Sequence, residues 1–394
     1  MAEAIYLAGA VRTPIGRFGG SLAPLSAPDL GVHAAREALK RAGLPAAAVD
    51  QSIFGHGRQA GQGPGTGRQV AVRAGVPVEK PAFTVNMACG SGLKSVLLGA
   101  DAIRLGRSQV VLAGGIESMS NTPYYLLKGR WGERLGHDQI VDGMYHDGFH
   151  CRLADQLMGE TAENLVDLYK IGREEQDAFA ARSQQRCEAA RKRGRFESEK
   201  VGIRLEDKKK GAWVFQDDEH ARDGITPAQM AKLEPVFRKT GSVHAGNSSG
   251  ITDGGAAILV LSESAVKRLN VTPLARLVGY AEAGVDPKVM GLGPVPAVRR
   301  LLEETKVSQA SIDLWELNEA FAAQVIACNR ELKIDEERLN VDGGAIALGH
   351  PIGATGCRIL VTLLHSLAER SLKRGVATLC ISGGLGLAAL VERV

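Results

Sequence analysis

The sequence predicts an α/β protein of two homologous halves, residues 1–118 and 246–394, separated by a segment of different character, 119–245. Three observations carry this. A unit of helix, aspartate and short apolar strand occurs twice. A second unit of helix, apolar strand and paired glycines also occurs twice. The opening strands of the two halves match as well, at 4–7 and 274–278.

In the first half, Leu30, Ala34, Ala35, Ala38, Leu39 and Ala42 share one helical face over 29–42, with Asp29 as the expected cap and Gly43 as the stop. Val49, Asp50 and the strand-like Ser52-Ile53-Phe54 follow. Downstream, Val298, Leu301, Leu302 and Thr305 repeat the helical spacing, and Ile312, Asp313 and Leu314-Trp315-Glu316-Leu317 repeat the strand. Setting Asp50 opposite Asp313 also aligns Leu39 with Leu302, Leu44 with Val307, and Val49 with Ile312.

The second unit begins with a helix through Leu93, Val96, Leu97, Ala100 and Ile103. Apolar 109–113 and a turn at Gly114-Gly115 come next. Its counterpart is a helix over 359–367, apolar 376–381 and Gly383-Gly384. Apolar runs this short fit strands covered on both faces. The middle segment carries Trp131, Trp213, His137, His146 and His150, a helix over 174–193, and basic runs at 191–193 and 208–210. The basic runs read as solvated helix and hairpin ends. The histidines lack the spacing of a metal site, so no metal is expected.

Composition excludes several classes. At 394 residues, 44% hydrophobic and 23% charged, the chain is ordinary for a globular protein with a large core. No window of about 18 apolar residues marks a membrane span. Glu3 and the lack of a basic n-region argue against a secretory leader, and cytoplasmic residence is expected. A net charge of +4, spread along the chain, gives no footprint for nucleic acid. Six cysteines without a C-x-x-C pair suit neither zinc nor a disulfide framework.

Local context selects the reactive thiols. Cys89 stands among glycines where a strand-like run turns into a helix. The positive end of that helix is expected to lower the thiol below its usual ~8.5, as a thiolate nucleophile needs. A buried structural cysteine is the alternative. In the second half, glycines and a proline surround His350 ahead of a helix. The repeat places His350 near the counterpart of Cys89, so the two loops are expected to meet at one cleft. Cys380 stands at the end of the C-terminal strand, with Ser382-Gly383-Gly384 next, and Asn318 follows a strand, where its amide can position water or a carbonyl.

Four of these segments, NMACGSG (86–92), NEAFA (318–322), GGAIALGHPIGATG (343–356) and CISGGLG (380–386), resemble the signatures of the thiolases. These enzymes join or split acyl chains on coenzyme A. The resemblance spans nearly the whole chain, including GNSSG (246–250) and MGETAEN (158–164). It implies two five-stranded α/β halves plus an inserted loop domain, and assembly as a homodimer or homotetramer. Coenzyme A thioesters are then substrates, and no further cofactor is implied.

By the same resemblance Cys89 is the nucleophile that takes the first acyl group, and His350 receives its proton. Cys380 is the base that removes the α-proton of a second acetyl-CoA. Asn318 holds a water which, with His350, forms one oxyanion hole. The backbone N–H groups of Cys89 and Ser382 form the other. Arg222 and Ser249 fall where the family contacts coenzyme A, and Met158 and Phe321 lie beside the acyl pocket. The chain departs from the pattern at Ser382, where the family usually has glycine; serine keeps the N–H but brings strain if φ is positive there.

A β-ketoacyl synthase would need His or Asn in place of Cys380, and a non-catalytic relative would have lost one of the four residues. The Met158 match and the lack of a targeting ending favour acetoacetyl-CoA as substrate, with broad-chain 3-ketoacyl-CoA thiolysis as the alternative.

Overall fold

Strand order decides how the two halves meet. The computed structural model describes residues 3–207 and 211–394, so the basic run 208–210 lies outside the described residues. Its ten-stranded sheet contains β1 (Ile5–Arg12), β2 (Gly16–Arg17), β3 (Gln51–His56), β4 (Ala82–Val85), β5 (Val110–Ser118), β6 (Thr252–Ser262), β7 (Ala275–Gly284), β8 (Leu314–Leu317), β9 (Arg374–Ile381) and β10 (Leu385–Arg393). The order is β8-β9-β10-β7-β1-β6-β5-β3-β4, with β2 beside β6.

The two matching openings, β1 and β7, pair antiparallel, Ile5 opposite Leu277 and Leu7 opposite Ala275. From that seam the pattern reads alike in both directions. β6 and β10 come first, then β5 and β9, then β3 and β8 in parallel. The alignment of Asp50 with Asp313 has a physical basis: Asp50 Oδ2 accepts from the N–H groups of Gln109 and Val110, and Asp313 Oδ2 from those of Lys373 and Arg374. Each aspartate starts one strand while holding its parallel neighbour. The division at residue 246 gives Thr252–Ser262 to the second half, but β6 is hydrogen-bonded between β5 and β1 of the first.

Both halves of the sheet are buried on two faces, as their apolar strands require. On β5, Val111 and Ala113 face α3 (Ser91–Arg104) and α8 (Ile352–Glu369), while Val110 and Leu112 face α1 (Ala27–Arg41) and α2 (Thr66–Ala74). On the other side Trp315, Leu317, Val376 and Leu390 pack on α6 (Pro294–Thr305) and α7 (Ala322–Leu332). The middle segment adds α4 (Met158–Tyr169) and α5 (Arg173–Lys192), whose Leu165, Phe179 and Ala180 join that last cluster. Buried Arg12 ties β1 to the same segment through Glu199 at 2.6 Å and Asp218 at 2.7 and 2.9 Å.

Two local expectations change. Ser26, not Asp29, caps α1, and Asp29 is its capping-box partner three residues on. Gly114 and Gly115 do not turn; β5 continues through them to Ser118. The reason is close approach. A Cβ on Gly115 would sit 2.3 Å from Gly353 O and 2.9 Å from Gly92 Cα, where α3 and α8 begin. Of the basic run 191–193, Arg191 pairs with Asp223, Lys192 with Glu188, and Arg193 with buried Asp342. His146 pairs with Asp147 and His150 with Asp155. No cluster of three or more His, Cys, Asp or Glu suited to a metal occurs among the described residues.

Gly115→Ala therefore overpacks the contact between β5 and the two central helices. Its expected cost is about 1–3 kcal/mol, read as a lower urea midpoint at unchanged slope.

Candidate active site

α3 and α8 cross with almost no side chain between them. A Cβ on Gly356 would lie 2.4 Å from Leu93 N, and one on Gly92 would lie 2.8 Å from Cys357 N. Their N-terminal ends consequently open on one cavity of about 480 Å³. Cys89, His350, Cys380, Ser382, Arg222, Ser249, Met158 and Phe321 all line it. Asn318 does not. It lies just behind, at the end of β8, where its N–H donates to Thr378 O at 3.0 Å. Its side chain is buried, and neither amide atom has a protein partner.

Cys89 is aimed by a tight elbow between β4 and α3. Ala88 holds the left-handed region at φ 45°, a strained backbone for a residue with a Cβ. The strain is held from both sides: Ala88 N–H donates to Asn86 Oδ1 at 2.9 Å, and Ser91 Oγ donates to Ala88 O at 2.7 Å. The expectation of a lowered thiol is reversed here. Burial raises Cys89 above the ordinary thiol range, while Arg58 and then the backbone N–H groups of Ser382 and Cys89 pull it back. The resting residue is a thiol and needs a base.

His350 lines the same cavity with one ring nitrogen left free. Its Nδ1 lies 2.7 Å from Thr355 Oγ1, and Thr355 spends its own proton on Pro351 O at 2.9 Å. Thr355 therefore accepts from Nδ1–H, which leaves the lone pair on Nε2. Nε2 is buried without a protein partner. Burial, then the charges of Arg358 and Arg58, push the imidazole down to about 3, so the ring is neutral over the working range. Cys380 is raised well above the usual thiol value by burial and then by Cys89.

Ser382 is reconciled by its backbone. The positive φ angles fall on Gly383 and Gly384, at 87° and 86°, and not on Ser382. Serine thus carries no left-handed strain, and its backbone N–H is one of the groups that pull the Cys89 thiol down.

Sequence reasoning missed the supports. Thr355 fixes the imidazole tautomer. Glu117, wholly buried, accepts from the N–H groups of Gly57, Arg58 and Gly353, joining the Arg58 loop to the start of α8. Glu319 accepts from Ser183 Oγ, Asn340 Nδ2 and Ile346 N, and so anchors the loop before His350. Only Thr355 and Glu319 carried a sequence signal, since both lie inside the motifs. Phe237 and Met290 complete the apolar wall near Cys380.

Two similar α/β halves meeting at paired cysteines and a histidine define a thiolase-type site. The thiolase N-terminal domain matches residues 5–264 and the thiolase C-terminal domain residues 271–393. The chain belongs to the thiolase family. It is 51% identical to an acetyl-CoA acetyltransferase of Pseudomonas aeruginosa over 389 residues, 99% of each chain. The crystal structure of the Bacillus anthracis acetyl-CoA acetyltransferase superposes with a TM-score of 0.97 at 44% identity, covering 100% of this chain and 99% of that one. A human mitochondrial 3-ketoacyl-CoA thiolase in complex with CoA gives 0.95 at 42% identity, covering 100% and 98%.

Thr355→Val removes the acceptor for Nδ1–H and frees the ring to adopt the other tautomer. Acylation of Cys89 is expected to slow by about tenfold or more, read by rapid-quench mass spectrometry with the circular dichroism unchanged. A second outcome follows from the raised thiol. In His350→Ala, which leaves no base, alkylation of Cys89 by iodoacetamide should keep rising with pH beyond the ordinary thiol value of 9.0. A plateau near neutrality would mean a stabilised thiolate.

Proposed function

We propose that the protein is an acetyl-CoA C-acetyltransferase that interconverts two acetyl-CoA with acetoacetyl-CoA and CoA through an acetylated Cys89. The observation that carries this reading is the meeting of two thiols and a neutral imidazole in one apolar cavity. His350 Nε2 takes the Cys89 proton as the sulfur attacks the first thioester carbonyl. The departing CoA sulfur then collects that proton and leaves as the free thiol. Cys380 next passes its own proton to neutral His350 and removes an α-proton from a second acetyl-CoA; the carbanion attacks the acetyl-Cys89 carbonyl, and the released Cys89 sulfur takes the proton held by His350.

Electrostatics favours this order. A thiolate at Cys89 would oppose ionisation of Cys380. Acetylation keeps one from forming, so the second thiol can ionise without that opposition once the first is loaded. The tetrahedral oxygen is received by the N–H groups of Cys89 and Ser382. The enolate oxygen is received by His350 and a water on Asn318, an assignment supported by the unpartnered amide.

Arg222 and Ser249 meet the coenzyme, and Met158 and Phe321 border the acyl group. The inserted segment 119–245 thus supplies part of the coenzyme contact. A reducing compartment, the cytoplasm, suits six free cysteines of which two must stay reduced. Exposed Tyr124, Leu126, Leu127, Trp131, Leu135 and Ile140, together with Phe83 on the outermost strand β4, support assembly into a homodimer or homotetramer.

Incubation with acetyl-CoA tests the reading directly: intact mass and peptide mapping should find one acetyl group on Cys89, absent in Cys89→Ala. Cys380→Ala should still be acetylated but lose condensation and α-proton exchange. Loss of both half-reactions together would make Cys380 a support for the Cys89–His350 pair instead.

A further inference from the structure

Arg58 has no task in the scheme above, yet it lines the same cavity. It follows β3 by two residues and is 7% exposed. Its Nε has no partner, and its guanidinium makes no ion pair with any carboxylate among the described residues. Two carboxylates, Glu117 and Asp147, lie near enough to act on it through their charge, but neither forms an ion pair with it. Glu117 takes three backbone N–H groups, and Asp147 Oδ1 is held by His146 at 2.7 Å. Buried cations are ordinarily paired, because desolvation is otherwise uncompensated.

The position is also built. Glu117 fixes the Arg58 backbone at 3.1 Å, and Asn86 Nδ2 donates to Gly57 O at 3.0 Å, locking this loop to the Cys89 elbow. Gly148 makes room for the guanidinium: a Cβ there would fall 2.5 Å from Nη2 and 2.6 Å from Nε. Phe149 and Ile352 line the cavity that Cys89 and Arg58 share, and with Met119 and Met144 behind them they form the apolar cluster against which Cys89 packs. It lies apart from the Met158, Phe237 and Phe321 wall beside Cys380. A group attached to Cys89 thus meets methylene-compatible surface first and an unpaired cation with it.

We infer that Arg58 recognises a carboxylate at the far end of the acyl group on Cys89, so that the enzyme also transfers ω-carboxyacyl groups. This rests on Cys89 being the acyl acceptor. In the cleavage direction Cys89 attacks C3 of a 3-oxoacyl-CoA ending in a carboxylate, and the C2–C3 bond breaks. The carbanion takes a proton from Cys380 and leaves as acetyl-CoA. The ω-carboxyacyl group stays on Cys89 until the sulfur of a second CoA attacks its carbonyl, the CoA thiol giving its proton to the ionised Cys380. The new thioester then departs, and the Cys89 sulfur regains a proton through His350. No oxidant or reductant is required.

Single-turnover loading of Cys89 tests this, with succinyl-CoA against butyryl-CoA and glutaryl-CoA against pentanoyl-CoA, each pair equal in chain length. The wild-type enzyme should load at least one carboxylated donor about tenfold or more faster than its neutral partner, and Arg58→Met should erase that ratio. Arg58→Lys, which keeps the charge, should retain part of it. A wild-type preference for both neutral donors overturns the proposal without any variant. An equal fall for acetyl, butyryl and succinyl donors in Arg58→Met also overturns it, since the arginine would then act on the thiol alone. Failure of acetyl-CoA itself to load Cys89 would sink the proposed function instead, and is read in the same assay.

Discussion

The close crossing of α3 and α8 is the constraint on which the rest depends. Helices normally stand 8–10 Å apart because side chains separate them. Here Gly92, Gly353 and Gly356 remove those side chains, and Gly55 and Gly115 let the pair settle onto the sheet, where a Cβ on Gly55 would lie 2.3 Å from the Ser91 carbonyl carbon. Cys89 precedes one helix and His350 the other. Bringing the two helix starts together therefore brings thiol and imidazole into one cavity. The pseudo-symmetry of the sheet makes this possible, because α3 and α8 are equivalent crossovers of the two halves and share one apolar layer.

That layer also sets the electrostatics. Cys89 and Cys380 are raised and His350 is lowered, chiefly by burial in each case. All three therefore rest uncharged, and charge is created only when substrate brings a carbonyl to receive it. Fixed donors are worth most in such a site, since no solvent must reorganise around the new charge. The Ser382 N–H that pulls the Cys89 thiol down and the Thr355 acceptor behind His350 belong to this arrangement. Permanent cations also line the cavity, Arg58 together with Arg17 and Arg222, and Arg58 is the one of the three that is buried.

Much of this was legible in the amino-acid order. The duplicated pattern, the matched aspartates Asp50 and Asp313, and the four motifs are local, since helical and strand periodicities need no knowledge of the partner element. The two thiols of the cavity stood out for a like reason: each lies at the end of an apolar run beside glycines, Cys89 ahead of a helix and Cys380 ahead of a further strand. Three readings failed where packing outranked local cues. Gly114-Gly115 looked like a turn and is strand, because glycine also serves where a helix presses on the sheet. The helix start beside Cys89 implied a lowered thiol, and burial outweighed it. Strand β6 follows the insertion in sequence but completes the first half by hydrogen bonding.

The sequence by itself determined the repeat, the strand and helix types, and which residues are the candidates for the chemistry, because each is encoded within a few neighbouring positions. Only the tertiary structure decided the protonation states, the tautomer of His350, the freedom of Ser382 from strain and the isolation of Arg58. Each of these depends on atoms brought close from distant parts of the chain. Thr355 orients His350 only because α8 begins where it does, and Arg58 forms no ion pair although Glu117, 59 residues on, lies near enough for its charge to be felt.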